Sequence, residues 1–261
     1  MSDWTRKLFI EHAELFLKLL NERWSRTGEI VNGMLRVLSD FGVTSGNLLD
    51  LCCGNGRISI HMAKKGFNVV GVDFSRTFLE DARKKAKEHK VSNRVNFLEG
   101  DVRNLKKVVG DISRPFDVVV NAWTSIGYFS PNDDVSIFKQ ARELSRKDAI
   151  LIIAETMHSD FLAVKFTPTS YQEVGDIVLL EGRKYDSTTS QLEAAWTFYN
   201  KRGENLEFID RIEFENHVYS QSEFSSVLKK AGWEPVAFYG SFSTLQPMNP
   251  LTSMNVVARA K

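Results

Sequence analysis

Three features of the chain predict a doubly wound α/β domain that carries an antiparallel β insert. Strand-length apolar runs alternate with helical patterns between residues 47 and 154, a glycine-rich corner follows the first run, and a later tract alternates apolar and polar residues with period two. Ahead of these, residues 4–24 place Phe9, Ala13, Phe16, Leu17, Leu20 and Trp24 at helical intervals. A second helix is predicted over 30–41, closing at Gly42. Residues 47–52 read as the first strand and 57–65 as the helix behind it, stopped by Gly66. The second strand covers 67–72 and is closed by Asp73; the helix over 77–89 sets Phe78, Leu79, Ala82 and Ala86 on one face, with Lys84, Lys85 and Lys87 on the other. Strands follow over 94–98 and 116–122, the latter nearly all valine, as burial on both faces requires. Ser130-Pro131-Asn132-Asp133 opens a helix to residue 144 with a hydroxyl cap, a first-turn proline and acids at the positive dipole end, and a fifth strand occupies 149–154.

Residues 166–218 change character. Leu192, Ala194, Trp196 and Phe198 alternate, and turn-prone Gly175-Asp176, 186–190 and 201–205 separate the runs, so three or four antiparallel strands are expected. Ser220 and Glu223 have capping-box spacing before a helix closing at Gly232, and 233–239 and 254–260 read as final strands. The chain thus divides into a helical cover (1–46), a core (47–160), an insert (161–218) and a C-terminal helix and strands completing the core (219–261).

The 261 residues, 43% apolar, suffice for a core without covalent staples. With 34 basic against 33 acidic residues the chain lacks the basic excess of a nucleic-acid binder, and the lysines near 83–90 read as a solvated helix face. The two cysteines, adjacent at Cys52 and Cys53, build neither a disulfide framework nor a four-ligand zinc site, and the five histidines show no metal spacing. No metal, a reducing cytoplasmic location and no membrane partner are therefore expected; no run approaches the roughly 18 apolar residues of a membrane span.

The informative stretch is Leu48-Leu49-Asp50-Leu51-Cys52-Cys53-Gly54-Asn55-Gly56-Arg57. A strand ending in small residues that feed a helix lets a ligand approach the backbone closely. Asp73 follows Gly54 by nineteen residues, spacing that suits a ribose diol in a dinucleotide site and in a nucleoside site alike. Asp50 ahead of the glycines, Ser59 in place of a third glycine, and Glu99-Gly100-Asp101-Val102 at the next strand end favour an adenosine with a cationic tail over a pyrophosphate.

Here the sequence resembles the class I S-adenosylmethionine-dependent methyltransferases. Leu49 to Gly56 correspond to the first motif, Val70-Gly71-Val72-Asp73-Phe74-Ser75 to its ribose-binding follower, Glu99 to Val102 to the adenine-contacting motif, and Phe116 to Asn121 to the fourth-strand motif. The resemblance covers about residues 47–155, and the closing helix and strands fit it too. It implies a Rossmann-like seven-stranded sheet and S-adenosylmethionine as cofactor. It also implies roles: Asp50 for the amino group, Cys52, Gly54 and Gly56 beneath the methionine part, Asp73 for the ribose, Phe74, Asp101 and Val102 for the adenine, and Asn121 and Trp123 beside the methionine. The segment Asn121-Ala122-Trp123-Thr124-Ser125-Ile126-Gly127-Tyr128-Phe129 lacks the pattern of amino-methylating DNA enzymes. With the inserted strands, it more resembles small-molecule methyltransferases of the glycine and sarcosine type.

Methyl transfer from a sulfonium asks the protein to orient the acceptor, exclude water and, for some acceptors, remove a proton. Tyr128, Glu155 and His217 are the candidate catalytic residues, on a small-molecule acceptor offering nitrogen or oxygen. Trp4 and the first helix serve either as a cover over the cofactor or as plain packing. Two other readings remain at this level, an NAD-dependent oxidoreductase and a non-catalytic S-adenosylmethionine-binding protein, and both monomer and homodimer stay open.

Overall fold

Residues 3–110, 115–123 and 125–261 are described by the computed structural model. Strands β1 (Asn47–Leu51), β2 (Asn68–Asp73), β3 (Val95–Glu99), β4 (Phe116–Ala122) and β5 (Ser145–Thr156) lie parallel. Next in the chain come β6 (Thr169–Val174), β7 (Ile177–Asp186), β8 (Gln191–Arg202) and β9 (Asn205–His217), which make a separate four-stranded antiparallel sheet. The chain then returns as β10 (Trp233–Tyr239) and β11 (Met254–Ala260), giving the seven-stranded order β10-β11-β5-β4-β1-β2-β3 with β11 antiparallel to both neighbours. The fold is thus the Rossmann-like α/β sheet with an antiparallel insert. Its strand order reverses between β1 and β4, where ligands of such sheets bind at the carboxyl edge.

The valines of β4 show how the core forms. Val118 and Val120 enter the apolar cluster on one face, together with Leu48, while Val119 joins Leu49 and Leu51 on the other. Helices α3 (Trp24–Asp40), α4 (Arg57–Lys64) and α5 (Arg76–Glu88) supply the first cluster, through residues such as Met34, Ile60 and Ala82. Helices α7 (Pro131–Glu143) and α9 (Gln221–Lys230), each opened by a capping box at Ser130 and Ser220, supply the second. Short α6 (Leu105–Val109) and α8 (Ser159–Lys165) complete the layers.

The N-terminal expectation needs correction. Residues 4–24 are not one helix: α1 (Asp3–Arg6) passes into a π-helical turn, Lys7–Glu11, before α2 (Ala13–Glu22), and Trp24 begins α3 rather than ending the first helix. One extra residue in the turn still leaves Leu8, Phe9, Ala13 and Phe16 facing inward, so the apolar spacing reads through the break. Strand β5 begins at Ser145, ahead of the expected 149, and α8 was not anticipated.

Candidate functional site

Three adjacent strands end on residues with left-handed backbones: Cys52 after β1 (φ 55°), Trp123 after β4 (φ 75°) and Glu155 in β5 (φ 57°). A non-glycine residue there is strained by roughly 1–3 kcal/mol, and such strain clusters at functional sites. Gly54 (φ 54°) and Gly56 (φ 72°) form the corner. A Cβ on Gly56 would stand 2.8 Å from the Phe97 ring and 2.9 Å from Ala82, so this glycine lets the corner press onto the helix layer.

Beside the corner lies a narrow cavity of about 70 Å³. Cys52, Gly54, Asp73, Phe74, Val102, Trp123 and Tyr128 line it, seven of the residues singled out from sequence. Phe9, Phe16 and Leu20 of the N-terminal segment close it from above. Phe16 stacks on Trp123 at 5.5 Å and Phe9 on Tyr128 at 5.9 Å between ring centroids. A drug-sized ligand needs about 300 Å³ or more, so this segment must shift for a nucleoside to enter. It shares one apolar cluster with Ile177, Leu179, Phe198 and Ile212 of the insert, and is also tied to it by polar contacts: Lys7 donates to Asp210 Oδ1 at 2.8 Å and His12 Nε2 lies 2.6 Å from Asp210 Oδ2.

The aspartates divide. Asp73 Oδ2 accepts from the Gly54 amide at 2.8 Å and Oδ1 from the Ser75 amide at 2.9 Å, tying the corner to β2 while the carboxylate still faces the cavity. Burial pushes its pKa up to about 6, against the pull of those amides. Asp50 points elsewhere. It is 1% exposed, accepts from Ser59 Oγ at 2.6 Å, and is likewise raised by burial to about 6. Asp101 caps the turn Val102–Asn104 and takes two hydrogen bonds from the Arg103 guanidinium. Burial pushes its carboxyl up, but the Arg103 contacts outweigh this and leave it below the ordinary value. Neither Asp50 nor Asp101 lines the cavity; its wall on that side is Val102. Asn121 is buried and ties strand ends together, its Nδ2 donating to the Leu51 carbonyl at 3.0 Å and to Ser125 Oγ at 2.8 Å. Burial raises both cysteine thiols well above their ordinary value, which keeps them protonated and unreactive.

The three candidate catalytic residues are dispersed. Tyr128 borders the cavity, with Trp4 edge-on at 4.9 Å. Glu155 accepts from Arg57 at 3.1 Å. His217 lines a different hollow of about 40 Å³ with Thr156, Asn216 and Tyr219, and burial lowers its pKa. Asp134, on α7, holds this region together: its Oδ2 accepts from Tyr219 at 2.8 Å and from the Gly127 amide at 3.1 Å, and burial raises it to about 7. Thr124, within the segment singled out from sequence, lies outside the described residues.

Sequence reasoning missed Arg23. Its guanidinium sits 4.1 Å over the Trp123 ring; burial lowers its pKa, a shift the Glu155 charge opposes. No local pattern marks such a residue. A second opening of about 930 Å³ crosses the four-stranded sheet and is lined by Trp4, Arg183, Ala194 and Phe214 among others. Trp4 stacks on Phe214 at 5.0 Å, placing this cleft against the aromatic wall of the first cavity.

The residues present fit an adenosyl amino acid. Asp73 faces the cavity, the glycine corner is bare beside it, and the buried atoms Asn55 Oδ1 and Ser75 Oγ lack hydrogen-bond partners. Residues 48–148 match a family described as a methyltransferase domain. Among curated proteins, the chain is 28% identical to a putative methyltransferase, YqeM, of Bacillus subtilis (strain 168), over 77% of this chain and 79% of that protein. Among solved structures, an S-adenosylmethionine-dependent methyltransferase from Clostridium acetobutylicum superposes with a TM-score of 0.75 at 16% identity, covering 96% of this chain and 98% of that one. The sugar N-methyltransferase KedS8 from Streptoalloteichus does so at 0.70 and 15% identity, covering 95% and 92%.

The strand order, the corner and the matched domain define a methyltransferase of the Rossmann-like kind. Residues 48–148 carry the methyltransferase domain, and the matches together indicate an S-adenosylmethionine-dependent methyltransferase enzyme with S-adenosylmethionine as its cofactor. Among the described residues no helix is long and apolar enough to cross a membrane, and no cluster of three or more His, Cys, Asp or Glu is placed to hold a metal ion.

Proposed function

We propose that this enzyme methylates an amine nitrogen of a small polar acceptor seated in the cleft under the insert, which acts as the substrate lid. The observation that carries this reading is the juxtaposition of the two openings, with Trp4, Phe9 and Tyr128 as the wall between them. An acceptor in the cleft presents its nucleophile across that wall to the cofactor pocket. The cleft rim carries charges of both signs, Arg183, Lys184 and Arg211 with Glu193, Glu213 and Glu215, which suits a zwitterionic or amino-sugar acceptor better than a lipid. The KedS8 likeness supports the same class by analogy of fold.

Bound S-adenosylmethionine supplies an activated methyl group on a sulfonium. Asp73 holds the ribose hydroxyls, Phe74 and Val102 take the adenine, and Gly54 lets the chain pass beneath the methionine part. Asp50, Asp101 and Asn121 act one step back, by holding Ser59, Arg103 and Ser125. The rings of Trp123 and Tyr128 favour positive charge beside them, by about 0.5–2 kcal/mol per ring. Tyr128 orients the acceptor at the point of transfer, and the aromatic lid keeps water out. The test pairs each amino sugar with its hydroxyl counterpart and follows radiolabelled methyl transfer. Label appearing only in the amines supports the proposal; label in the hydroxyl partners, or in neither set, contradicts it.

A further inference from the structure

Asp134 is an acid in an apolar position. It lies in the first turn of α7, is 2% exposed, and its helix sends Ile137, Phe138 and Ala141 into the second apolar cluster. A carboxyl buried there is destabilising unless the groups around it need an acceptor. It lines neither the cofactor pocket nor the hollow beside His217, so it can act on the reaction only through the groups it holds. Those groups come from two places. The Gly127 amide belongs to the loop after β4, whose Ser125, Tyr128 and Phe129 line the cofactor pocket. The Tyr219 hydroxyl belongs to the junction where the insert rejoins the core after β9. Both donate to the same oxygen, Oδ2.

The two segments also touch directly. The Gly127 carbonyl accepts from the His217 amide at 3.0 Å, so this residue is clamped from both sides. A Cβ on Gly127 would stand 2.0 Å from the His217 carbonyl oxygen, and the left-handed glycine (φ 83°) is what permits the approach. On the insert side, the Val218 amide donates to the Ser190 carbonyl at 2.8 Å and the Ser159 amide to the Tyr219 carbonyl at 3.0 Å, binding the junction to the β7–β8 turn and to α8. Strand β9 leads back from His217 to Glu215, Phe214, Glu213 and Arg211, which line the cleft of the insert. A shift of the cleft wall therefore reaches Asp134 along one strand, and a shift of Tyr128 reaches it across one residue. We infer that Asp134 is a positioning residue for methyl transfer, tying the loop that bears Tyr128 to the end of the insert so that cofactor pocket and cleft close together. This rests on the proposal that the cleft seats the acceptor, but the coupling can be read without any acceptor.

Hydrogen exchange followed by mass spectrometry, with and without S-adenosylhomocysteine, tests the coupling on wild type, Tyr219→Phe and Asp134→Asn. In wild type the ligand should slow exchange about 10-fold in residues 125–129 and in 215–219 alike, the scale of one hydrogen bond held against local opening. Tyr219→Phe keeps the buried ring and removes only the hydroxyl, so the ligand should still protect 125–129 but leave 215–219 within about twofold of its ligand-free rate. Asp134→Asn keeps an acceptor oxygen and should keep the joint protection. Wild type in which 215–219 does not respond, or Tyr219→Phe in which both segments still do, overturns the inference. So does joint protection lost in Asp134→Asn, which still offers the acceptor. Exchange in Tyr219→Phe that quickens by the same factor with and without ligand also overturns it, since that marks a bond serving the fold alone. On an amine that takes label, Tyr219→Phe should lower kcat about 10-fold at unchanged KM, and an unchanged kcat contradicts the positioning role. If no amine takes label, the acceptor proposal fails while the exchange results still decide the coupling.

Discussion

Replacing Gly56 by alanine separates backbone strain from steric conflict. Gly42 and Gly56 have nearly the same backbone, φ 74° and φ 72°, but differ in surroundings. A Cβ on Gly42 meets nothing within 4 Å, whereas on Gly56 it falls 2.8 Å from the Phe97 ring and 2.9 Å from the Ala82 methyl. The left-handed backbone alone costs an alanine about 1–2 kcal/mol. Overfilling a packed core adds about 1–3 kcal/mol, because Phe97 and Ala82 are buried and cannot swing into solvent. Gly42→Ala should therefore lose about 1–2 kcal/mol and Gly56→Ala about 2–5 kcal/mol, read from urea midpoints at unchanged slope. Gly56→Ala should also bind S-adenosylhomocysteine more weakly, since Gly54 rides on the same corner. Equal losses for the two variants would refute the reasoning, because the clash would then contribute nothing.

Further outcomes follow from the geometry. The carboxyl of Asp134 is raised by burial from 3.8 to about 7, so the folded state holds its proton where the unfolded chain releases it. Stability should fall as pH rises from about 4 through about 7, on the order of 4 kcal/mol for this group, with Asp50 and Asp73 adding in the same direction. Asp134→Asn, whose amide oxygen can accept from both Tyr219 and Gly127, should flatten that slope in unfolding curves taken across the range. Asp210→Ala frees Lys7 and His12, so association with S-adenosylhomocysteine, followed by stopped-flow tryptophan fluorescence, should quicken several-fold; an unchanged rate would mean the N-terminal segment is not a latch. Tyr128→Phe should lower kcat about 10-fold with little change in cofactor affinity, measured by single-turnover methyl transfer.

Much of the fold was legible because the strands carry their signal locally. The valines of β4 and the capping boxes at Ser130 and Ser220 mark their own elements, and the span 116–122 needed no correction. The break at Lys7–Glu11 escaped because an inserted residue preserves which side chains face the core. For the site, the strand-end residues and glycines were readable, but the direction of a side chain was less so. Alternation sends Leu49 and Leu51 to one face of β1 and hence Asp50 to the other, where Ser59 meets it. Phe9, Phe16 and Arg23 reach the site from the N-terminal segment across the sheet's edge, a long-range contact that no spacing near the glycines encodes. His217 belongs to a separate hollow for the same reason: where the insert rejoins the core is set by packing against Gly127 and Asp134, not by its own sequence neighbourhood.

A crystal structure of the complex with S-adenosylhomocysteine tests the central claim most directly. The account predicts ribose hydroxyls on Asp73, the base between Phe74 and Val102, the sulfur near Trp123 and Tyr128, and the N-terminal segment displaced to admit them. Nucleoside density anywhere else, or a bound ligand whose ribose leaves Asp73 bonded only to the Gly54 and Ser75 amides, would contradict it.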